Sequence, residues 1–157
     1  MTSRMYLILA FGGSIALLMA AFAFQHLGGL PPCKMCIWQR WPHVAAIALG
    51  SIALVIPARG LAWLGMIAAL VTAGIGGYHT GVERGWWEGP STCSAGDTSG
   101  LTVDQLMDQI LNAPLVRCDE VAWQMFGLSM ASWNMLGSLA LALLWLMAAR
   151  TMKLEYN

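Results

Sequence analysis

Charged residues are scarce in this chain. They make up 10% of its 157 residues, and eight Lys/Arg balance eight Asp/Glu, whereas about 25% is usual for soluble domains. The zero net charge excludes a basic nucleic-acid-binding protein, and the 58% apolar fraction excludes a disordered chain. There is no internal repeat, no phosphate-binding glycine loop and no pair of carboxylates within an apolar segment. Too little polar sequence remains to cover the apolar part in water, so we predict an integral membrane protein.

Four long apolar segments predict an all-α fold, a four-transmembrane-helix bundle that takes up the whole chain (1–157) as a single membrane domain. Each segment is long enough to cross a hydrocarbon core of about 30 Å, the second only if Arg40 lies at the interface. The segments are Met5–Phe24, Ile37–Ile56, Leu61–Tyr78 and Ser132–Ala149. The third is rich in small residues that suit close helix packing in lipid: Gly65, Ala68, Ala69, Thr72, Ala73 and Gly76.

The first apolar segment also resembles a secretory signal peptide. Arg4 precedes it, and the run Ala21-Phe22-Ala23 near its end is similar to a cleavage site. Signal-peptide apolar regions are usually about 7–15 residues long, which is shorter than this segment. We therefore expect a retained membrane span.

The distribution of basic residues predicts that both termini are cytoplasmic. One side of the membrane would hold Arg4, Arg59, Arg150 and Lys153, and the other Lys34, Arg40, Arg84 and Arg117. The first set lies in much shorter segments, and long translocated loops are discounted by the positive-inside rule. The loops 25–36 and 79–131 are then on the outer side, which in a bacterial inner membrane is the periplasm.

All four cysteines lie in these two outer loops, Cys33 and Cys36 in the first and Cys93 and Cys118 in the second. Disulfides persist in the periplasm. Four cysteines allow three pairings. The short spacing favours Cys33–Cys36, which leaves Cys93–Cys118 to close a loop across the second outer segment.

The Cys33-x-x-Cys36 pair favours redox chemistry over a structural role. A disulfide gains stability with the length of the loop it closes, and this loop is short. The same spacing recurs in redox motifs with an accessible thiolate. The alternatives are a metal site, which needs a second Cys or His pair at ligand spacing, and a structural staple. Cys93 and Cys118 do not supply that spacing.

The surroundings of Cys36 strengthen the redox interpretation. Two prolines just upstream put Cys36 where the second helix begins, and the partial positive charge of a helix N-terminus favours a thiolate. Arg40 lies one turn further along the same face and is a candidate to stabilise an anion beside Cys36. Alternatively, Arg40 only reaches the lipid headgroups between Trp38 and Trp41.

An amphipathic helix is predicted in the second outer loop over residues 102–112. Thr102 and Gln105 have the spacing of a capping box. The apolar positions follow helical spacing: Val103, Leu106, Met107, Ile110 and Leu111. Such a helix could lie on the membrane surface or on top of the bundle. The eleven methionines do not indicate copper transport, because most lie in spans or in this helix, where methionine fills gaps.

Several runs carry a family resemblance that covers nearly the whole chain. They are Pro32–Arg40 (PCKMCIWQR), Tyr78–Glu83 (YHTGVE) with Trp86-Trp87, Cys118–Trp123 (CDEVAW), and Phe126–Met130 (FGLSM) with Trp133. In order and topology these runs resemble the DsbB-type disulfide bond formation proteins. The resemblance implies an inner-membrane enzyme, a protein-dithiol:quinone oxidoreductase. It would reoxidise a periplasmic thioredoxin-like thiol oxidase of the DsbA type and pass the electrons to the membrane quinone pool.

The resemblance also implies roles for individual residues. Cys93 would form the mixed disulfide with the partner, and Cys118 would pass the electrons on to Cys33. The glycine- and serine-rich segment 89–100 around Cys93 predicts an open loop that leaves the Cys93 sulfur accessible. Cys36 would contact the quinone, ubiquinone being favoured over menaquinone. Arg40 matches the family's quinone-site arginine, and His79 matches a histidine near the same site. No metal is expected.

Two other classes remain as alternatives. A vitamin K epoxide reductase-like enzyme would carry its Cys-x-x-Cys late in the chain, whereas here it precedes the second span. A non-enzymatic scaffold with two static disulfides would tolerate Cys33→Ser. Two residues depart from the family's expected pattern: the charged Lys34 inside the Cys-x-x-Cys, and Gln39, which removes an acidic neighbour and should leave Arg40 less paired.

Overall fold

The computed structural model describes residues 2–91, 93, 102–104, 107, 111 and 116–155. Within them four long helices match the four predicted segments: α1 (Ser3–His26), α2 (Lys34–Val55), α3 (Arg59–Glu83) and α4 (Met130–Glu155). A two-stranded antiparallel hairpin, β1 (Gln124–Met125) and β2 (Leu128–Ser129), leads into α4. Three helices are long and apolar enough to cross a membrane: α1, α3 and the Met130–Met152 part of α4.

The start of α2 is fixed by the first cysteine. Cys33 is the N-cap residue, and its Sγ accepts a hydrogen bond from the backbone N–H of Cys36. This contact satisfies one of the N–H groups that a helix leaves free in its first turn. Pro42 lies inside α2 and leaves the Trp38 carbonyl without its usual N–H partner. The cap therefore places both members of the Cys-x-x-Cys at one end of the bundle.

The helices pack closely where the sequence has small residues. A side-chain carbon at Gly65 would lie 2.6 Å from the Trp145 ring, and one at Gly76 would lie 3.0 Å from the Ala131 backbone oxygen. Helix α3 thus approaches α4 at both ends of their contact, which confirms the predicted role of the small residues in the third segment. Large apolar side chains are exposed along the outside of the bundle, as expected where lipid is the solvent.

Helix α3 is longer than predicted. The apolar pattern predicts that the third helix ends at Tyr78, but α3 continues to Glu83. His79 therefore lies in a helix and not in a loop. The extra turn packs against its surroundings: Thr80 and Val82 are buried, and the absence of a side chain at Gly81 leaves room for the Trp87 ring. The sequence did not indicate this extension, because Tyr78–Glu83 is largely polar and the burial of residues 79–82 depends on tertiary contacts.

The predicted amphipathic helix over 102–112 falls largely outside the described residues. Of its members that are described, Val103, Met107 and Leu111 are helical and exposed. The hairpin that follows was not predicted from the sequence. Its turn holds Phe126 and Gly127 at φ 52° and 74°, the left-handed conformation typical of a two-residue hairpin. The hairpin brings residues 122–125 over the end of the bundle where α2 begins and α3 ends. This end is called the cysteine end.

Candidate redox site and adjoining cavity

The four cysteines converge at the cysteine end. Cys93 and Cys118 form a disulfide with a Cα–Cα distance of 5.3 Å, and both are fully buried. Cys33 packs in the same cluster, together with Val82. The Sγ atoms of Cys33 and Cys118 and a ring nitrogen of His79 all lie within 4.8 Å of one another. The two cysteine pairs are therefore in contact, although they belong to different loops.

Cys33 and Cys36 are free thiols in this structure. Cys33 Sγ donates a hydrogen bond to Cys36 Sγ over 2.8 Å. This hydrogen bond and burial raise the pKa of the Cys33 thiol well above its usual range. Cys33 is thus the protonated member of the reduced pair, and Cys36, which receives hydrogen bonds at a helix N-terminus, is the sulfur on which negative charge is favoured.

The burial of Cys93 corrects an expectation from the sequence. Its glycine- and serine-rich surroundings predicted an accessible sulfur in an open loop, yet Cys93 has no exposed surface. Its backbone N–H donates to the Pro90 oxygen, and its carbonyl accepts from Cys118 N–H over 2.6 Å. The disulfide is covered because it packs against Cys33 and Val82 at the end of the bundle. Residues 94–101, on which the open-loop prediction also rested, lie outside the described residues.

A cavity of about 320 Å³ opens beside Cys36. Its walls come from α1, the 30–32 segment, the first turns of α2, residues 122–125 and the start of α4. Most of the lining is aliphatic or aromatic, including Phe24, Trp123 and Trp133. The polar lining residues are Cys36, Gln39, Arg40, His43 and Asn134. Size and lining are typical of a site for a small, mostly apolar molecule.

Arg40 lies in the cavity wall one turn after Cys36. Its guanidinium donates from Nη1 to Gln25 Oε1 over 2.7 Å and lies 4.9 Å from the centre of the Phe22 ring. Its Nε has no hydrogen-bond partner, and no carboxylate pairs with it among the described residues. Within the described residues this matches the prediction that Gln39 leaves Arg40 less paired.

His79 lies with the cysteines and not in the cavity wall. Its Nε2 is 3.6 Å from Cys33 Sγ and 3.8 Å from Glu83 Oε1, while its Nδ1 accepts a hydrogen bond from Gln39 Nε2 over 2.9 Å. Gln39 thus stands between His79 and the cavity. Among the described lining residues His79 does not appear, although the family resemblance assigned it to the quinone site.

A buried polar network connects α2, α3 and α4. Asn134 Nδ2 donates to Gln39 Oε1 over 2.8 Å and to Thr72 Oγ1 over 3.1 Å, and Asn134 Oδ1 accepts from His43 Nε2 over 2.9 Å. From the sequence, Gln39 was singled out only as the neighbour of Arg40 and Thr72 only as a small residue of the third segment, while His43 and Asn134 were missed. The available signal was that polar residues inside a membrane segment are rare and are usually functional.

Cys33, His79 and Cys118 also have the spacing of a metal-binding group. Cys118 is already bonded to Cys93, and a disulfide sulfur is not a thiolate ligand. Two ligands remain, whereas zinc sites use three or four protein ligands. The arrangement suits exchange between sulfur atoms better than metal binding.

Comparison with known proteins agrees with this geometry. The family Disulfide bond formation protein DsbB matches residues 3–148. The chain is 30% identical to Disulfide bond formation protein B of Stutzerimonas stutzeri, covering 94% of this chain and 96% of the relative. It is 33% identical to Disulfide bond formation protein B of Verminephrobacter eiseniae, covering 91% and 86%. The chain therefore belongs to the DsbB family of disulfide-forming membrane oxidoreductases.

Proposed function

We propose that this protein reoxidises a periplasmic dithiol oxidase of the DsbA type and passes the electrons to membrane quinone. The observation that carries this proposal is the position of Cys33. Its sulfur is within 4.8 Å of Cys118 Sγ and 2.8 Å from Cys36 Sγ, and Cys36 lines the cavity. Cys33 is thus adjacent to both the outer disulfide and the sulfur beside the cavity.

The first step takes place at Cys93. A thiolate of the reduced partner attacks Cys93 Sγ, the Cys93–Cys118 bond breaks, and Cys118 leaves as a thiolate. The second thiol of the partner then attacks the mixed disulfide, so the oxidised partner departs and Cys93 is left as a thiol. Two electrons have moved from the partner to the Cys93/Cys118 pair. Because Cys93 is buried, docking of the partner has to expose its sulfur first.

The second step moves these electrons to the membrane-proximal pair. The Cys118 thiolate attacks Cys33 of an oxidised Cys33–Cys36 pair, and Cys36 leaves as a thiolate. Cys93 then attacks Cys118, which restores the outer disulfide and releases Cys33 as a thiol. The structure holds the cysteines in the resulting state, with Cys93–Cys118 bonded and Cys33 and Cys36 free. His79 Nε2 lies 3.6 Å from Cys33 Sγ. Because His79 Nδ1 accepts from Gln39, Nε2 carries the ring hydrogen and can donate a hydrogen bond to an exchanging sulfur.

In the final step, the Cys33/Cys36 pair would pass its electrons to a quinone in the cavity. The lining fits a quinone: it is apolar and aromatic, its volume is sufficient, and Cys36 and Arg40 face it together. When bound, a quinone would supply an acceptor for two electrons and two protons. Cys36 would present its sulfur to the ring, Arg40 would offset the negative charge that develops there, and Cys33 would rejoin Cys36 as the pair gives up two electrons and the single proton of the Cys33 thiol. The second proton would come from solvent.

Four membrane crossings complete the proposal, with α2 as the fourth and both termini in the cytoplasm. Helix α2 (Lys34–Val55) is of spanning length, and its polar side chains Gln39 and His43 are buried against α3 and α4, away from lipid. Exposed tryptophans lie near the cysteine end, among them Trp38 and Trp86. They suit the level of the lipid headgroups, which supports a position of the cysteine end at a membrane surface. In the proposal this is the periplasmic surface of a bacterial inner membrane.

Quinone reduction by the purified protein tests the proposal. The protein in detergent is supplied with a ubiquinone or menaquinone analogue and a reduced DsbA-type partner, and loss of quinone absorbance is followed. We expect turnover in the wild type, none in Cys33→Ser, and at least a tenfold loss in Arg40→Ala, because a donor aimed at developing charge typically contributes about 10²-fold or more. Arg59→Ala, at the other end of α3, is the matched control and should retain the rate.

If no pairing of partner and quinone gives thiol-dependent turnover by the wild type, the proposal is wrong and a scaffold with two static disulfides remains. A wild-type rate in Cys33→Ser would equally contradict the electron route, because this route passes through the Cys33 sulfur.

A further inference from the structure

His43 lies in the cavity wall with a hydrogen-bonding pattern that fixes its proton. Asn134 Nδ2 donates to Gln39 Oε1 and Thr72 Oγ1, so the Asn134 amide oxygen faces His43 Nε2 at 2.9 Å. An amide oxygen only accepts hydrogen bonds, so His43 Nε2 carries the hydrogen. His43 Nδ1 is then a bare acceptor.

This acceptor has no hydrogen-bond partner, although His43 is 3% exposed. Buried polar atoms in proteins are nearly always hydrogen-bonded. His43 lines the cavity, on the face of α2 that also carries Arg40 one turn earlier and Cys36 two turns earlier. The free acceptor has almost no accessible surface, but it belongs to a residue of the cavity wall, so a small movement of the ring would bring it to a donor on a cavity ligand.

The two redox forms of the substrate differ in what they offer to such an atom. The oxygens of a quinone are carbonyls and accept hydrogen bonds, whereas the hydroxyl groups of a quinol also donate them. We propose that His43 Nδ1 accepts a hydrogen bond from the quinol hydroxyl remote from Cys36, so that the cavity binds quinol more tightly than it would without His43. The inference rests on the proposed function, because it assumes that the cavity is the quinone site.

Tighter binding of quinol makes the last electron transfer, from the cysteine pair to the bound quinone, more favourable. A site that binds the reduced form more tightly raises the reduction potential of the bound couple, by about 30 mV for each tenfold difference in affinity. One proton of the quinol comes from the Cys33 thiol and the second from solvent. His43 keeps its own proton on Nε2, held by Asn134, and acts as a quinol-binding residue without exchanging a proton.

Binding measurements in a variant that cannot turn over test this role. In the Cys33→Ser background, decylubiquinone or its quinol is titrated without oxygen, and the quenching of tryptophan fluorescence is followed, since Trp123 and Trp133 line the cavity. Two substitutions distinguish the roles of the two ring nitrogens of His43. His43→Gln puts an amide N–H near the Nε2 position and keeps the bond to Asn134, whereas His43→Asn puts an amide oxygen near the Nδ1 position. Met130→Leu is a volume-conserving control in the cavity wall.

We expect His43→Gln to weaken quinol binding three- to tenfold, the range of one typical net hydrogen bond, with quinone binding within twofold of the parent. His43→Asn and Met130→Leu should keep the ratio of the two affinities within twofold. An unchanged ratio in His43→Gln, or equal losses for both ligands, overturns the inference while leaving the quinone site intact. If neither ligand binds the parent, the proposed quinone site itself is wrong.

A second measurement does not depend on a His43 variant being folded. In ¹⁵N-histidine-labelled Cys33→Ser protein, the Nδ1 resonance of His43 should move toward the position of a hydrogen-bonded nitrogen when quinol is added, and should stay in place with quinone. The same response to both ligands contradicts the inference.

Discussion

Replacing Gln39 by leucine tests the buried polar network most sharply. The Gln39 side chain makes three hydrogen bonds, to the Met35 backbone oxygen, to His79 Nδ1 and from Asn134 Nδ2. Leucine is similar in size but can neither donate nor accept. The substitution therefore removes the side-chain hydrogen bonds from Gln39 to α3 and α4, with little change in packing volume.

The expected cost follows from which atoms are left without a partner. Asn134 Nδ2 keeps Thr72 Oγ1 as an acceptor at 3.1 Å, whereas His79 Nδ1 loses the donor that Gln39 supplied. Interhelical hydrogen bonds in membranes average about 0.6 kcal/mol, but a buried acceptor left unsatisfied costs about 1–3 kcal/mol. Because leucine leaves such an acceptor behind, we expect the free energy of unfolding to fall by about 1–3 kcal/mol.

The assay is reversible unfolding in mixed micelles with increasing sodium dodecyl sulfate, followed by circular dichroism. Gln124→Leu makes the same chemical change at an exposed residue of the hairpin and should alter the free energy of unfolding by less than about 0.5 kcal/mol. If Gln39→Leu matches this control, the network does not hold the helices together and the reasoning is refuted.

Three further predictions concern packing, thiol reactivity and pH. Gly65→Ala should destabilise the bundle by about 1–3 kcal/mol in the same unfolding assay, because the added carbon would lie 2.6 Å from a buried tryptophan ring and overpacking costs this much; a stabilised variant would contradict it. Iodoacetamide at pH 7 should alkylate Cys36 before Cys33, which mass spectrometry of the peptides detects, because Cys33 is 4% exposed and has a raised pKa. Arg117 holds the pKa of the Asp119 carboxyl below its usual range, so this carboxylate contributes stability above the ordinary value of about 3.9 and loses it as the pH falls. Asp119→Asn should therefore lower the melting temperature only slightly at pH 7, since the pair is largely exposed and screened by solvent, and the difference should vanish in acid.

Sequence predicted the features that depend on local pattern. The four apolar segments gave the four helices to within a few residues at most ends, because an uncharged stretch of spanning length has few other solutions. The two prolines before Cys33 predicted where α2 begins, and the helix spacing put Arg40 beside Cys36. These inferences need no knowledge of which helices touch.

Sequence could not predict the features that depend on contacts between distant residues. The position of His79 against Cys33 could not be predicted, because the side of a helix end that faces the cysteines is decided by the packing of α3 against α2. The pairing of His43 with Asn134 joins two helices far apart in the chain, and neither residue belongs to a local motif. Cys93 was expected to be open because its neighbours are loop formers, yet its disulfide is covered by the helix ends.

The contact between Cys33 and Cys118 is the central claim, and trapping it is the most direct test. In the double variant Cys36→Ser/Cys93→Ser only these two cysteines remain, and their sulfurs lie within 4.8 Å, close enough to reach bonding distance by small side-chain movements. Mild oxidation should join them in most molecules, as seen by mass spectrometry of non-reduced peptides. The matched variant Cys33→Ser/Cys93→Ser, which retains Cys36 and Cys118, should cross-link far less. If the first variant does not form the bond, or both form it equally, electrons do not pass through Cys33 as proposed.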